Sequence, residues 1–179
     1  MPSSAPTAYD QLCQHARETQ LLSSIEDVLS WDERTQLPPA AGEYRAEQMT
    51  YLAGLVHRRR TDPRLGEWLG ELAGSELARE PHSDAGTVIR QLKRQYDKLV
   101  KLPAALVEEL TRTSVLGQQV WQHARAANDF KAFQPILTKT YELKREQAQA
   151  IGYQDQPYDA LLDDFEPAAR RHLPRPIFG

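Results

Sequence analysis

The sequence predicts an all-α fold, an array of about six to seven helices with short connections, and three observations carry this. Apolar residues recur at three- and four-residue steps in one segment after another, the period of a helix with one buried face. No segment alternates apolar and polar residues over strand length, and no Asn-Gly or Asp-Gly pair marks a hairpin. Only nine glycines occur in 179 residues, little material for the tight turns of a β-protein. No fixed-period repeat is present either.

The first helix carries Tyr9, Leu12, Cys13, Ala16, Leu22, Ile25 and Leu29 near one face. It should end near Trp31, because Pro38-Pro39 cannot continue it. A second helix fits Gly42 to about Arg59, with Tyr44, Met49, Leu52, Leu55 and Val56 inward. Asp62-Pro63 then restarts the chain, since Asp caps free amides and Pro at the first position loses nothing. Leu65, Trp68, Leu69 and Leu72 form the stripe of the third helix, and residues 80–83 break it. Val88, Ile89, Leu92, Tyr96, Leu99 and Val100 mark a fourth helix. Leu102-Pro103 opens a fifth, with Leu106, Val107, Leu110, Val120 and Trp121. Asn128-Asp129 supplies the next turn and cap. The sixth helix carries Phe130, Phe133, Ile136, Leu137, Tyr141, Leu143 and Ala148 and stops at Gly152. A short seventh fits Tyr158 to Leu162.

Charge and composition exclude several classes. Twenty-two basic and 25 acidic residues leave a formal charge of −3, so nothing favours nucleic acid or an anionic membrane. No apolar run approaches the roughly 20 residues of a membrane helix. The start, Met1 to Pro6, has no basic segment followed by an apolar one. With a single cysteine, Cys13, the reading is a cytoplasmic protein. Cys13 lies on the inner face of its helix, which makes it an inert buried thiol.

Catalytic chemistry is missing. A helical zinc-protease site needs two imidazoles one turn apart and a Glu beside the first. None of His15, His57, His82, His123 and His172 is followed by Glu, and no two are four apart. Each reads as a surface or helix-end residue. There is no Cys-x-x-Cys, Gly-x-Ser-x-Gly, P-loop or Gly-x-Gly-x-x-Gly. Asp159, Asp163, Asp164 and Glu166 lack the spacing and central Gly of a calcium loop, and read as a salt-bridged helix end. Arg58-Arg59-Arg60 suits the negative end of a helix dipole. Trp31-Asp32 reads as a packed ring followed by a cap or turn. Trp31 and Trp121 are both expected to be packed, with truncation costing about 3 kcal/mol.

The run Leu29-Ser30-Trp31-Asp32-Glu33-Arg34-Thr35-Gln36-Leu37-Pro38-Pro39, continuing through Tyr44-Arg45-Ala46-Glu47-Gln48 to Leu52-Ala53-Gly54-Leu55-Val56-His57, resembles the N-terminal signature of the carboxypeptidase Taq family. A second similar stretch runs from Trp121 through Asn128-Asp129-Phe130 and Phe133-Gln134-Pro135 to Ile151-Gly152-Tyr153 and Pro167. Leu37 stands where the family usually has Met, and Ala168 where Gly usually follows Glu-Pro.

The resemblance implies an all-helical zinc metallocarboxypeptidase, commonly a homodimer, that removes C-terminal amino acids from peptides in a long groove walled by the N-terminal helices. It also implies that His-Glu-x-x-His lies later in a longer chain. No residue here is therefore assigned a catalytic, cofactor-binding or metal role. Residues 1–167 are expected to be a helical N-terminal domain and 168–179 an irregular tail, truncated or out of frame. The expected function is a groove-wall portion, inactive alone. The alternative is a stand-alone helical interaction protein or pseudoenzyme of that descent. A portion should leave apolar faces uncovered, expected on the fourth helix (Val88, Ile89, Leu92, Leu99) and the fifth (Leu106, Val107, Leu110). The purified chain should retain no stoichiometric zinc after dialysis, measured by metal analysis; retention tighter than about micromolar would contradict the reading.

Overall fold

The computed structural model describes residues 7–80 and 82–166. Among them are eight α-helices, α1 Ala8–Thr35, α2 Gly42–Arg60, α3 Pro63–Ala73, α4 Glu76–Arg79, α5 Asp84–Leu99, α6 Ala104–Ala127, α7 Phe130–Ile151 and α8 Pro157–Leu162, with one 3-10 turn, Pro39–Ala41. No strand occurs among the described residues.

The ends follow from local chemistry. Thr7 and Asp10 form a reciprocal capping box at the start of α1. α1 runs one turn past Trp31, and Thr35 Oγ1 donates to the Trp31 carbonyl at 2.9 Å. Pro38 restrains only the residue before it, so the helix is free to reach Thr35. Asp62 accepts from the Arg64 amide at 3.0 Å and caps α3. Hydrogen bonds from the Arg64 guanidinium also pull the Asp62 carboxyl down to about 2. Ser83 caps α5 through the Gly86 amide. Asn128 takes left-handed angles, φ 54°, which its short polar side chain tolerates, and Asp129 caps α7 through the Ala132 amide. The single turn α4 was not expected, because four residues are too short for periodicity to register.

The helices pack in the order α3, α1, α2, α6, α7, with α5 against α3 and α8 against α7. Leu12, Leu65, Leu69, Leu72 and Ile89 join α1, α3 and α5. Ala46, Met49 and Val115 join α2 to α6, with Leu29 of α1 packed beside them. Leu102, Leu106 and Leu143 join the α5–α6 turn, α6 and α7.

Several expectations about burial fail. Tyr44 is exposed, because the inward stripe of α2 is Gly42, Ala46, Met49, Ala53 and Val56, and Tyr44 lies about 200° from Ala46. These small residues let α6 approach closely; a Cβ on Gly42 would sit 1.9 Å from Gln119 Oε1. Ile89 and Leu106 are buried, and the other apolar residues of α5 and α6 expected to lie uncovered are half-buried. The exposed apolar residues instead include Leu21, Ile25 and Val28 on α1, Trp121 on α6, and Phe130 and Tyr141 on α7. Cys13 is half-buried rather than enclosed.

His15 and His57 are not surface residues: each is buried to 7% exposure. His15 Nε2 donates to the Arg59 carbonyl at 2.7 Å, and its ring meets Trp68 edge-on. The guanidinium of Arg59 returns to α1, donating to Thr19 Oγ1 at 3.1 Å and pairing with Glu18 at 2.8 Å. His57 Nε2 donates to the Leu102 carbonyl at 3.0 Å, tying α2 to the α5–α6 turn.

Burial, reinforced by Arg58 and Arg60, holds the His57 pKa below its ordinary value of 6.5. Below that value the unfolded chain takes up a proton that the folded chain refuses, so this group's stability is lost as pH falls. His57→Ala should cost about 2–4 kcal/mol, from the cavity and the orphaned carbonyl. In urea denaturation, the wild type should lose more stability between about pH 7.5 and about pH 5.5 than His57→Gln does. That difference isolates His57 from half-buried carboxyls with the opposite sign. Equal losses would contradict the assignment.

Candidate functional site

Three clefts join end to end along α6. The first, about 400 Å³, lies over α2, with Met49, Ala53 and Val56 as floor, Glu26, Ser30 and Glu33 of α1 as one wall, and Val107, Leu110 and Val115 as the other. Ser114 links it to a second, about 370 Å³, between α6 and α7. Trp121 and Phe133 link that to a third, about 580 Å³, at the α6–α7 turn beside Phe130. From Val107 to Asn128 the trough follows α6 for about 30 Å at 1.5 Å per residue. Its lining mixes apolar and polar side chains, and its carboxylates are Glu26 and Glu33 on α1 and Asp129 at the far end.

The two carboxylates on α1 are perturbed. Burial raises the Glu26 pKa, although the charge of Arg60 opposes it. Burial raises that of Glu33 as well, against Arg34 and Arg45. Glu33 Oε1 is buried and has no hydrogen-bond partner among the described residues. Both groups escaped the sequence analysis. The sign that could have found them is an acid on the apolar face of a helix, seven residues apart and interleaved with Leu22 and Leu29.

The first signature stretch closes into one network. Arg45, its side chain 12% exposed, pairs with Asp32 at 2.6 Å. It also donates to the Leu29 carbonyl at 2.8 Å and to Gln48 Oε1 at 3.1 Å. The Asp32 carboxylate thus fixes α1 to α2 instead of capping a turn. Trp31 is not packed: it is 62% exposed, about 200° around the helix from the inward Leu29. Trp121 is also exposed, at 43%, where two of the clefts meet.

The cleft between α5 and α8, about 660 Å³, is larger, and three of its cations are paired with carboxylates. Lys93 pairs with Asp97 at 2.7 Å and Arg94 with Asp163 at 2.6 Å, while Lys98 pairs with Asp163 and Asp164. The acidic cluster is therefore a salt-bridged helix end, as expected. The arginine run is spent on neighbours too: besides Arg59, Arg60 donates to Ser23 Oγ at 3.2 Å and Arg58 lies 4.0 Å from Glu108.

The described residues do not fit a metal ion. No group of three or more His, Cys, Asp or Glu side chains converges among them. The rings of His15, His57 and His123 are committed to the carbonyls of Arg59, Leu102 and Gln119. His172 lies outside the described residues.

A family model described as carboxypeptidase Taq (M32) metallopeptidase matches residues 11–179. Thermostable carboxypeptidase 1 of Thermus thermophilus is 38% identical over 181 residues, covering 96% of this chain and 36% of the relative. Carboxypeptidase 1 of Bacillus subtilis is 31% identical, covering 78% and 28%. A crystal structure described as BsuCP superposes with a TM-score of 0.84 at 27% identity, covering 92% of this chain and 33% of that one. The structure of Pyrococcus furiosus carboxypeptidase gives a TM-score of 0.73 at 26% identity, covering 93% and 33%. The chain spans about a third of the length of the relatives it matches.

Exposure of the two tryptophans has a measurable consequence. Trp31→Ala and Trp121→Ala should each cost about 1 kcal/mol or less in urea denaturation, whereas Leu69→Ala, in the core, should cost about 3 kcal/mol. A loss near the core value at either tryptophan would contradict its placement.

Proposed function

Because the chain belongs to the carboxypeptidase Taq (M32) metallopeptidase family, we propose that it is the N-terminal, groove-wall portion of a metal-dependent carboxypeptidase that releases C-terminal amino acids from peptides. The observation that carries the reading is the trough along α6: a long concavity of mixed apolar and polar lining on a unit that matches only a third of its relatives. Such a surface suits a peptide groove, or the support of one, better than it suits a finished exterior.

On this reading the metal is zinc and its ligands lie outside these 179 residues. Residues 1–167 act as one helical domain that contributes no catalytic, cofactor-binding or metal-ligating residue. The chain alone is inactive, and the complete enzyme is a cytoplasmic homodimer. No helix of the described residues is long and apolar enough to cross a membrane. This chain's part is geometric: the Asp32–Arg45 pair and the histidine clamps at the end of α2 hold the wall helices at fixed spacing.

A chimera tests this directly. The matching third of the Thermus thermophilus relative is replaced by this chain, and release of C-terminal amino acids from peptides is measured for the chimera and for the chain alone. The reading expects activity only in the chimera. Activity from the chain alone, or a folded chimera without activity, would overturn it.

A further inference from the structure

We propose that the cleft over α2, between α1 and α6, is the seat of a helix from the region by which the relatives exceed this chain, and that this helix sets a Lys or Arg side chain against Glu33. The inference rests on the carboxypeptidase-portion reading and names the contact that joins this unit to the rest.

Shape is the first argument. α1 and α6 both pack on α2 and flank it, so the space above α2 is a channel between two helices. Neighbouring helix axes stand about 8–10 Å apart, so a further helix can lie over α2 between its flanks. The channel floor is Met49, Ala53 and Val56, apolar and already buried at 7%, 6% and 4% exposure, so a helix seated above it would rest mainly on the walls.

Charge is the second. Glu33 Oε1 is buried with no donor, a costly arrangement for a carboxylate. Of the cations near it, Arg45 is paired with Asp32, Arg60 donates to Ser23 and Lys144 donates to Gln147, while Arg34 acts on Glu33 through its charge without donating to the buried oxygen. A cation on the occupant would supply the missing donor. Glu26 lies seven residues away, about 10 Å along the same wall, and gives that helix a second acidic position. Length is the third argument, since the Thermus thermophilus relative has 64% of its chain (100 − 36) outside the matched part.

The experiment introduces Glu33→Gln into both the isolated chain and the Thermus chimera, and follows thermal unfolding. In the isolated chain the substitution removes a half-buried charge with one donorless oxygen, so the midpoint should stay or rise. In the chimera it removes an ion pair, so the midpoint should fall by about 2–4 °C. Carbon-13 titration should place the Glu33 carboxyl above the ordinary carboxylate range in the chain and below it in the chimera. The same midpoint shift in both contexts, with unchanged titration, overturns the proposal but leaves the peptidase reading standing. A chimera that does not fold sinks both. Sedimentation of the isolated chain identifies a rival occupant: a dimer that Glu33→Gln dissociates would mean that a second copy fills the cleft, and would overturn the proposal.

Discussion

The last turn of α2 sets the geometry of the array. A helix end leaves carbonyls without partners, and here they are met by neighbouring elements as well as by the chain itself. His15 of α1 donates to the Arg59 carbonyl, while Thr61 satisfies the carbonyl of His57. The side chains of the same turn reach outward: His57 to the α5–α6 turn, Arg59 to Glu18 and Thr19, Arg60 to Ser23. One turn therefore ties α2 to both flanks of the array. Buried bonds with fixed direction specify spacing in a way that apolar contact alone does not.

The trough is a consequence of that spacing. Gly42, Ala46, Ala53 and Gly54 bring α6 close to α2 at the floor, and a Cβ on Gly54 would sit 2.8 Å from the Glu108 carboxylate. The walls remain apart above it. A self-contained bundle would keep acids off that surface. Here Glu26 and Glu33 stand on it with raised pKa values. A local conflict of this kind, in a sequence otherwise consistent in caps and periodicity, marks a surface shaped for contact rather than for the stability of the unit alone.

Much of the fold was legible in the sequence. Asp62-Pro63, Ser83, Asn128-Asp129 and Gly152 are start and stop residues whose local chemistry acts over a few residues, and the boundaries fall there. The signature residues Asp32, Arg45 and Gln48 were legible as a pattern, but not as a contact, because the pairing depends on how α1 and α2 dock. Other features were hidden for physical reasons. Choosing inward residues by size misses an interface made of Gly and Ala, which is how Tyr44 was misplaced. His15 and His57 look like surface residues until their carbonyl partners, 44 positions away in the case of His15 and 45 in the case of His57, are in place. Trp31 and Trp121 followed the rule that large rings are buried, which does not hold on a face left open.

Native-state amide hydrogen exchange measures the central claim most directly. If the last turn of α2 holds the array together, amides of Val56–Thr61 and of α1 from His15 to Thr19 should exchange only through global unfolding. They should then share one free energy and one denaturant dependence. Exchange of the α1 amides through a cheap local opening, with α2 and α6 still protected, would show that the two flanks are independent and would contradict the account.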